Sequence, residues 1–338
     1  MNAYERILAV LERRQTDHLG FLPITMMYAA DQIGKTYGEY TSDFRILVDA
    51  QLETAKRIGT DHVSCISDPG REAADCGAKV MFFDDQPPAI DETNALLADK
   101  TRLKTLTVPD PHKPGSRMFD RVQAAELFAS KVKGQYFIEG WVEGPCAEAA
   151  DLRGINQLMT DLMDDIGFVK ELFAFNVQLA TAFAAAQIKA GCDIIGVGDA
   201  AASLVGPRFY RDVVFPYEKQ LIDNIHAAGG RVRLHICGNT SRSLTDIGKL
   251  NCDLVDLDWM VPVDKARKET GADSVLDGNL DPVKVVRNGT PDSIKAALQV
   301  CYEQADKKNY IVGAGCEIPR DTAPENILAM RDFAVQTI

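Results

Sequence analysis

Eight short apolar segments recur along the chain, and a helical pattern separates most of them from the next. Such runs are rich in Val, Ile and Leu and stop at Gly, Pro, Asp or Asn, which is typical of strands buried in a parallel sheet. Alternating strands and helices, with no linker or low-complexity stretch, predict helical crossovers around one sheet. The strand that carries His235 and Cys237 is the fifth, and the others are 21–25, 62–66, 135–142, 193–197, 253–257, 273–276 and 310–312.

The polar residues at the predicted strand ends distinguish two architectures. In a closed (β/α)8 barrel the carboxyl ends of all strands form one rim, where the active sites of this fold lie. A doubly wound open sheet would spread the same residues along an edge, because each strand step adds about 4.8 Å. We therefore predict an α/β fold with a single (β/α)8 (TIM) barrel domain over residues 1–338 and a small inserted hairpin near residues 79–90. The polar residues are Asp68, Glu143, Asp199, His235, Cys237, Asp258, Asp277 and Cys316.

The composition excludes several classes of partner. With 37 Lys+Arg against 49 Asp+Glu the formal charge is −12, and there is no basic block, so we expect neither nucleic acid nor an anionic membrane surface as a partner. No stretch approaches the ~18 uninterrupted apolar residues of a membrane span. The first residues carry charges instead of an apolar signal core, which predicts a cytoplasmic protein with eight reduced cysteines.

His235 and Cys237 are the strongest candidates for metal ligands. Side chains at i and i+2 of a strand point to the same face, and zinc accepts both imidazole nitrogen and thiolate sulfur. Cys316 lies just past the last predicted strand and would share the same rim. The alternative is that Cys237 is a core cysteine beside a hydrogen-bonded histidine, since a lone His-x-Cys pair is a weak signal.

Three ligands and an open position are typical of catalytic zinc, whereas structural zinc has four protein ligands. Asp258, after the sixth predicted strand, is expected to be a weak fourth ligand that leaves when substrate arrives. Two thiolates already neutralise Zn²⁺, so this metal suits an incoming thiol, held as thiolate, better than the generation of hydroxide.

Three further carboxylates at the rim are candidates for substrate binding. Asp68, Glu143 and Asp199 each follow a predicted strand and could shape a pocket above the barrel. Helix capping explains each of them nearly as well, because carboxylates after barrel strands often cap the helices that follow.

Motifs across almost the whole chain together resemble the uroporphyrinogen decarboxylase-like superfamily, and the resemblance implies a (β/α)8 barrel. They are Gly140-Trp-Val-Glu-Gly-Pro-Cys146, Gly206-Pro-Arg-Phe-Tyr210 to Pro216-Tyr217, Arg233-Leu-His-Ile-Cys-Gly-Asn239, residues 254–259, Leu276-Asp-Gly-Asn279, and Gly315-Cys316 through Thr322-Ala-Pro-Glu-Asn326.

Within that superfamily the chain looks unlike a decarboxylase. The decarboxylases carry an Arg-rich motif after the first strand, where this chain has Pro23-Ile-Thr-Met-Met-Tyr28. It is more similar to the methylcobamide:coenzyme M methyltransferase branch, whose zinc ligands match His235, Cys237 and Cys316, with Asp258 as the match to an acidic fourth ligand. This resemblance implies a zinc-dependent enzyme that moves a methyl group from a methylated corrinoid (methylcobalamin), on a carrier protein, to a small thiol such as coenzyme M.

Two other functions stay open at this point. One is a corrinoid-to-tetrahydrofolate methyltransferase of a bacterial demethylation system. The other is a uroporphyrinogen decarboxylase-like, tetrapyrrole-binding protein that transfers no methyl group. The sequence leaves the methyl acceptor, the carrier protein and the oligomeric state undetermined.

Overall fold

The eight predicted barrel strands form one parallel sheet that follows the order of the chain. The computed structural model describes residues 1–337, and its strands pair in the order β1-β10-β9-β8-β7-β6-β5-β2, which confirms the predicted barrel. The strands are β1 (Gly20–Phe21), β2 (His62–Ser64), β3 (Val80–Met81), β4 (Ala89–Ile90), β5 (Phe137–Glu143), β6 (Ile194–Gly198), β7 (Val232–His235), β8 (Leu254–Asp256), β9 (Leu276–Asp277) and β10 (Tyr310–Val312).

The barrel closes between β1 and β2 through Asp61. Its backbone N–H donates to the Phe21 carbonyl at 2.9 Å, and its carboxylate accepts the Phe21 N–H at 2.9 Å. The Thr60 hydroxyl donates to the same carbonyl at 3.1 Å. Arg6, from the first helix, forms an ion pair with the buried Asp61 carboxylate. A charged pair at the amino-terminal side of the barrel thus completes the ring of strands.

Helices surround the barrel, and most β-strands lead into at least one of them. They are α1 (Ala3–Leu11), α2 (Met27–Gln32), α3 (Tyr37–Ser42), α4 (Phe44–Ile58), α5 (Arg71–Asp75), α6 (Arg117–Val132), α7 (Pro145–Arg153), α8 (Ile155–Asp164), α9 (Ile166–Ala190), α10 (Gly206–Phe209), α11 (Phe215–Ala227), α12 (Leu244–Gly248), α13 (Val263–Thr270), α14 (Pro291–Gln304) and α15 (Pro324–Gln336).

The N-cap of α4 is Asp43 and not the serine that precedes it. Serine is a residue type that often caps helices, but Ser42 is the last residue of α3, where its hydroxyl donates to the Gly38 carbonyl. Asp43 is the cap, because its carboxylate accepts the Arg45 N–H at 2.8 Å. Helix α4 ends at Gly59, which adopts φ 71°, a left-handed conformation that glycine reaches without strain.

Pro216 marks a break in the helical stretch after β6, because proline has no backbone N–H to donate. The chain passes from α10 through a π-helical turn, Tyr210–Val214, into α11, whose first turn contains Pro216. The wider π turn accommodates the proline at the start of a new helix and not in the middle of one.

The inserted hairpin, β3 and β4, is antiparallel and lies over the loop that follows β2. The side chains of Val80 and Ile90 lie within 3.7 Å and 3.2 Å of the position that a Cβ on Gly70 would take. At its tip Phe82 is 55% exposed, and the Arg117 guanidinium lies 5.2 Å from the centre of its ring. The predicted hairpin is therefore confirmed, and it lies beside the carboxyl end of the barrel.

Helix α9 is the most apolar long helix in the part of the chain that the structure describes. By length and composition alone its 25 residues could cross a membrane, but half of its most apolar window is buried inside the protein. It packs against α6, α7 and α11, and Leu172, Phe173 and Phe183 are among its buried side chains. This packing is what a core helix of a barrel layer requires.

Candidate metal centre

The structure brings His235, Cys237 and Cys316 together at the carboxyl end of the barrel. The His235 Nε2 lies 3.1 Å from the Cys237 sulfur, which lies 4.0 Å from the Cys316 sulfur, and all three ligand atoms are within 4.8 Å of one another. Cys316 reaches this position because the loop after β10 passes close to β8. A Cβ on Gly315 would lie 2.1 Å from the backbone nitrogen of Trp259, so only glycine fits there.

The orientation of His235 follows from the register of two strands. His235 and Asp256 are paired residues on β7 and β8, and the imidazole Nδ1 lies 3.0 Å from the Asp256 Oδ2. The Nε2 consequently faces the sulfurs. A carboxylate on the far nitrogen is the usual way to fix the orientation of a metal-binding histidine.

The three side chains fit a zinc ion. The donor set, one imidazole nitrogen and two sulfurs, is one that zinc prefers. In a tetrahedral site with Zn–S bonds of about 2.3 Å, two sulfurs lie about 3.8 Å apart, close to the 4.0 Å between Cys237 and Cys316.

The protonation of the cluster also suits a cation. A hydrogen bond from Cys237, assisted by His235, lowers the pKa of the Cys316 thiol to about 4 against the effect of burial. The hydrogen bond with Cys316 and burial raise the pKa of Cys237. One thiolate is thus present before any metal arrives, and zinc would replace the remaining protons, as metals do when they bind thiols.

A cavity of about 200 Å³ lies beside the cluster. Cys237, Cys316 and His235 form one side of it, and apolar side chains form another, chiefly Ile24 after β1, Ile66 after β2 and Trp141 within β5. The charged residues of its wall are Asp68, Arg71, Glu143 and Glu317. The cavity is large enough for a small molecule whose reacting atom would lie next to the sulfurs.

Asp68 and Glu143 line the cavity, and each is paired with an arginine. The Arg117 guanidinium donates to both Asp68 oxygens at 2.7 Å, and Arg71 donates to Glu143 at 3.1 Å. Burial alone would raise the pKa of Asp68, but Arg117 outweighs it and the pKa is lowered. Both residues lie in the cavity wall, and their predicted role in substrate binding stays a prediction.

Asp199 is buried and acts as a helix cap. Its carboxylate accepts the N–H groups of Cys146 at 3.3 Å and Ala147 at 2.6 Å, in the first turn of α7. The expectation that it caps the helix after its own strand is wrong, because the end of β6 lies beside the amino terminus of α7. Burial raises the pKa of Asp199 to about 6. It is outside the cavity wall, so its predicted contact with substrate stays a prediction.

Asp258 follows β8 but does not join the ligand cluster. Within residues 1–337 the converging ligand atoms belong to His235, Cys237 and Cys316. The Asp258 carboxylate instead accepts the Met260 N–H at 2.8 Å, in its own loop. Its role as a fourth ligand stays a prediction that requires this side chain to turn.

A buried ionic network beneath the cluster is absent from the sequence-based expectations. Arg233, two residues before His235 on β7, lies in the barrel interior and pairs with Glu139 at 3.2 Å, Asp256 at 2.8 Å and Asp277 at 2.9 Å. The sequence did contain a usable signal, because residues 233, 235 and 237 alternate on one face of the predicted strand. If His235 faces the barrel interior, Arg233 does too, and a buried arginine requires carboxylate partners.

Trp141 forms its side of the cavity because β6 presents two glycines to it. A Cβ on Gly196 would lie 2.1 Å from the indole ring, and one on Gly198 would lie 3.0 Å from its nitrogen. The ring therefore lies directly over the backbone of β6. These glycines define the shape of the cavity.

Comparisons with known proteins agree with the fold. The family model for uroporphyrinogen decarboxylase (URO-D) matches residues 2–336. A methylcobamide:CoM methyltransferase from Methanosarcina mazei is 26% identical over 337 residues, which cover 98% of this chain and 96% of that protein. A uroporphyrinogen decarboxylase from Carboxydothermus hydrogenoformans is 22% identical over 332 residues, 94% of this chain and 92% of that one.

The fold is also that of a solved methyltransferase from Methanosarcina mazei. The two structures superpose with a TM-score of 0.89 at 20% sequence identity, over 99% of this chain and 98% of the other. The match of the family model over almost the whole chain decides the family. The chain belongs to the uroporphyrinogen decarboxylase (URO-D) family.

Proposed function

We propose that this protein is a zinc-dependent methyltransferase, which moves a methyl group from a methylated corrinoid on a carrier protein to a small thiol. The observation that carries the proposal is the convergence of His235, Cys237 and Cys316 beside a cavity at the barrel mouth. The relatives named methylcobamide:CoM methyltransferase, 26% identical over almost the full length of both chains, support it. We assign the activity to one barrel domain acting in the cytoplasm.

The residues of the chain prepare the acceptor sulfur for attack. Asp256 fixes the His235 ring, so that its Nε2 and the two sulfurs keep one geometry. Zinc bound by these three ligands would supply the Lewis acidity that keeps an incoming thiol ionised at neutral pH. The apolar wall around Trp141 excludes water from the sulfur, and a less hydrated thiolate is a stronger nucleophile.

The transfer itself needs no acid or base from the protein. The acceptor thiolate attacks the methyl carbon, the new carbon–sulfur bond forms, and the cobalt–carbon bond breaks with its electron pair left on cobalt. The products are a thioether and cob(I)alamin. The corrinoid supplies the difficult chemistry, while the barrel supplies orientation.

The carrier protein would dock on the rim around the cavity. Exposed apolar side chains are present there on two sides: Trp259 and Met260 after β8, each 40% exposed, and Phe82 on the hairpin. Trp259 adjoins Gly315 and therefore the ligand Cys316. Exposed apolar groups beside a polar rim are typical of protein interaction sites.

The decisive experiment measures demethylation of methylcobalamin without oxygen, with a panel of small thiols and with tetrahydrofolate. We expect thiol-dependent formation of cob(I)alamin and of the matching methyl thioether. Transfer to tetrahydrofolate alone would favour the folate enzyme instead. A protein that demethylates nothing, or that decarboxylates uroporphyrinogen at an enzymatic rate, would contradict the proposal.

A further inference from the structure

The positive charges at the cavity are already paired. Arg71 lies in the cavity wall, where it donates to Glu143 at 3.1 Å and lies 3.4 Å from Glu72. Arg117, behind the wall, holds both oxygens of Asp68. Neither guanidinium is free to bind an anionic group on a ligand without giving up a buried carboxylate. That exchange is costly, because it leaves a buried charge without a partner.

One carboxyl group in the cavity wall, in contrast, has no cationic partner within the described part of the chain. Glu317 lies in its wall directly after Cys316, and its Oε1 accepts the Met27 N–H at 2.9 Å. The cation nearest to it along the chain, Arg320, is occupied by Asp31 and Asp85. Among the described residues no cation pairs with Glu317, so a carboxylate faces the cavity beside a candidate metal ligand.

Further carboxyl groups lie behind the wall, but burial raises the pKa of each of them, which favours their neutral forms. Glu72, Glu148 and Asp151 are largely buried around Arg71, and each has at least one side-chain oxygen with no hydrogen-bond partner within residues 1–337. Within residues 1–337 the carboxyl group of the cavity wall that is left without a cationic partner is therefore Glu317. Beside ionised Glu317 a sulfonate or carboxylate would meet repulsion, whereas an ammonium group would gain attraction.

From this arrangement we propose that the acceptor is a short aminothiol, with a protonated amine at the end opposite its sulfur, and that Glu317 binds this amine. The inference rests on the proposed function, and it specifies the class of thiol that the site accepts. Cys316 and Glu317 are consecutive residues whose side chains both line the cavity. A molecule with sulfur and ammonium joined by a short alkyl linker can reach both at once.

Three thiols of matched length test this charge preference directly. Cysteamine, 2-mercaptoethanol and 2-mercaptoethanesulfonate differ in the group at the far end, which is positive, neutral and negative. With the zinc-loaded protein and methylcobalamin we expect kcat/KM for cysteamine at least about tenfold above that for 2-mercaptoethanol, and the sulfonate below both. Tenfold corresponds to about 1.4 kcal/mol. Equal rates with the first two, or a faster sulfonate, would overturn the aminothiol assignment alone. If no thiol is methylated, the methyltransferase assignment fails and takes this inference with it.

Binding to the metal-free protein separates recognition of the amine from catalysis. The S-methylated product 2-(methylthio)ethylamine has no free thiol, and its Kd can be measured by calorimetry. Glu317→Gln keeps an oxygen that can accept the Met27 N–H but removes the charge, and we expect it to raise this Kd about tenfold. The matched control Glu126→Gln removes an exposed carboxylate on α6 and should leave the Kd unchanged. The neutral analogue 2-(methylthio)ethanol should bind wild type and Glu317→Gln alike. An unchanged Kd for the amine in Glu317→Gln would overturn the role of Glu317.

Discussion

At the scale of single residues, the two cysteines of the cluster can be tested by their removal. Cys237→Ala or Cys316→Ala leaves two of three ligands, so we expect the wild type to purify with about one zinc per chain and each variant to lose most of it. Both should stay folded, because the apolar core of the barrel lies elsewhere. Metal analysis and circular dichroism measure the two effects. Cys301→Ala, on α14, is the matched control. Full zinc content in both ligand variants would rule out the metal site.

Asp256 should matter for zinc although it is no ligand. Asp256→Asn weakens the hold on His235 Nδ1, and loss of such a carboxylate typically lowers metal affinity by about 10–100-fold. Competition with a chelator gives the affinity. Asp253→Asn, in which the lost carboxylate contacts His226 at 2.8 Å near the start of the same strand, is the control and should bind zinc normally. Equal affinities in the two variants would show that the Asp256 contact does not position His235.

The convergence of the three candidate ligands could be predicted from the sequence, but the residues that support them could not. The spacing of His235 and Cys237 and the shared rim were enough to bring in Cys316. Asp256 contacts His235 only because of the register between β7 and β8, and pairing register is not written in either strand alone. Glu317 could not be singled out from the sequence for a different reason. Its lack of a cationic partner depends on which carboxylates pair with the nearby arginines in the folded protein.

At the scale of elements, β6 sets the position of Trp141. Gly196→Ala adds a methyl group within 2.1 Å of the indole carbon, so the ring must move. We expect a loss of about 1–3 kcal/mol in the free energy of unfolding, as for other overpacked cores, and a raised KM for the thiol. Urea denaturation and near-ultraviolet circular dichroism follow the change. Gly167→Ala, in α9, would place its Cβ in ordinary contact with the Asp165 carboxylate at 3.8 Å and should cost nothing. An unchanged near-ultraviolet spectrum in Gly196→Ala would contradict the packing described for Trp141.

Helix boundaries show what local sequence can and cannot determine. Gly59 ends α4 and Pro216 lies at the start of α11 through properties of their own backbones, because glycine adopts a left-handed conformation without strain and proline has no N–H to donate. Ser42 and Asp43 are both good caps, and the choice between them depends on α3, a short helix with a weak apolar pattern. Asp199 shows the same limit across strands: it caps α7, which precedes it in the chain, because neighbouring strands bring their ends together.

At the scale of the whole molecule, the buried carboxyl groups predict how stability depends on pH. Burial, assisted by Glu72, Asp68 and Glu92 and opposed by Arg71, raises the pKa of Asp151 to about 7. The folded protein therefore holds a proton that the unfolded chain has released above about pH 4. Its contribution to stability is complete below that pH and is lost as the pH rises through about 7, at up to about 1.4 kcal/mol per pH unit for one proton.

Urea denaturation between pH 5 and pH 8 measures this slope. Asn is neutral like the protonated aspartic acid, so Asp151→Asn should be less dependent on pH than the wild type over this range. Asp164→Asn, which changes an exposed residue at the end of α8, should keep the wild-type slope. A slope in Asp151→Asn as steep as that of the wild type would show that the proton is held elsewhere.

The strand order of the barrel was predictable from the alternation of strands and helices, whereas the contact that closes the barrel was not. Alternation fixes the order of strands, because each crossover brings the next strand to the side of the last. Closure requires the first and second strands to meet, and here it depends on Asp61, whose carboxylate bonds the backbone of Phe21 while Arg6 neutralises it. No periodic pattern in the sequence predicts such a contact between individual residues.

The short contact between β1 and β2 also affects where the molecule opens locally. β5, β6 and β7 pair over four or five residues, but β1 and β2 are held together chiefly by contacts of Asp61 and Thr60 with Phe21. Segments with few backbone bonds open at the lowest free energy, so amide hydrogens here should exchange with solvent sooner than those of the central strands. Ile24 and Ile66, which follow the two strands, both line the cavity. The amide hydrogens of β1 and β2 should therefore exchange more slowly when a ligand fills the cavity.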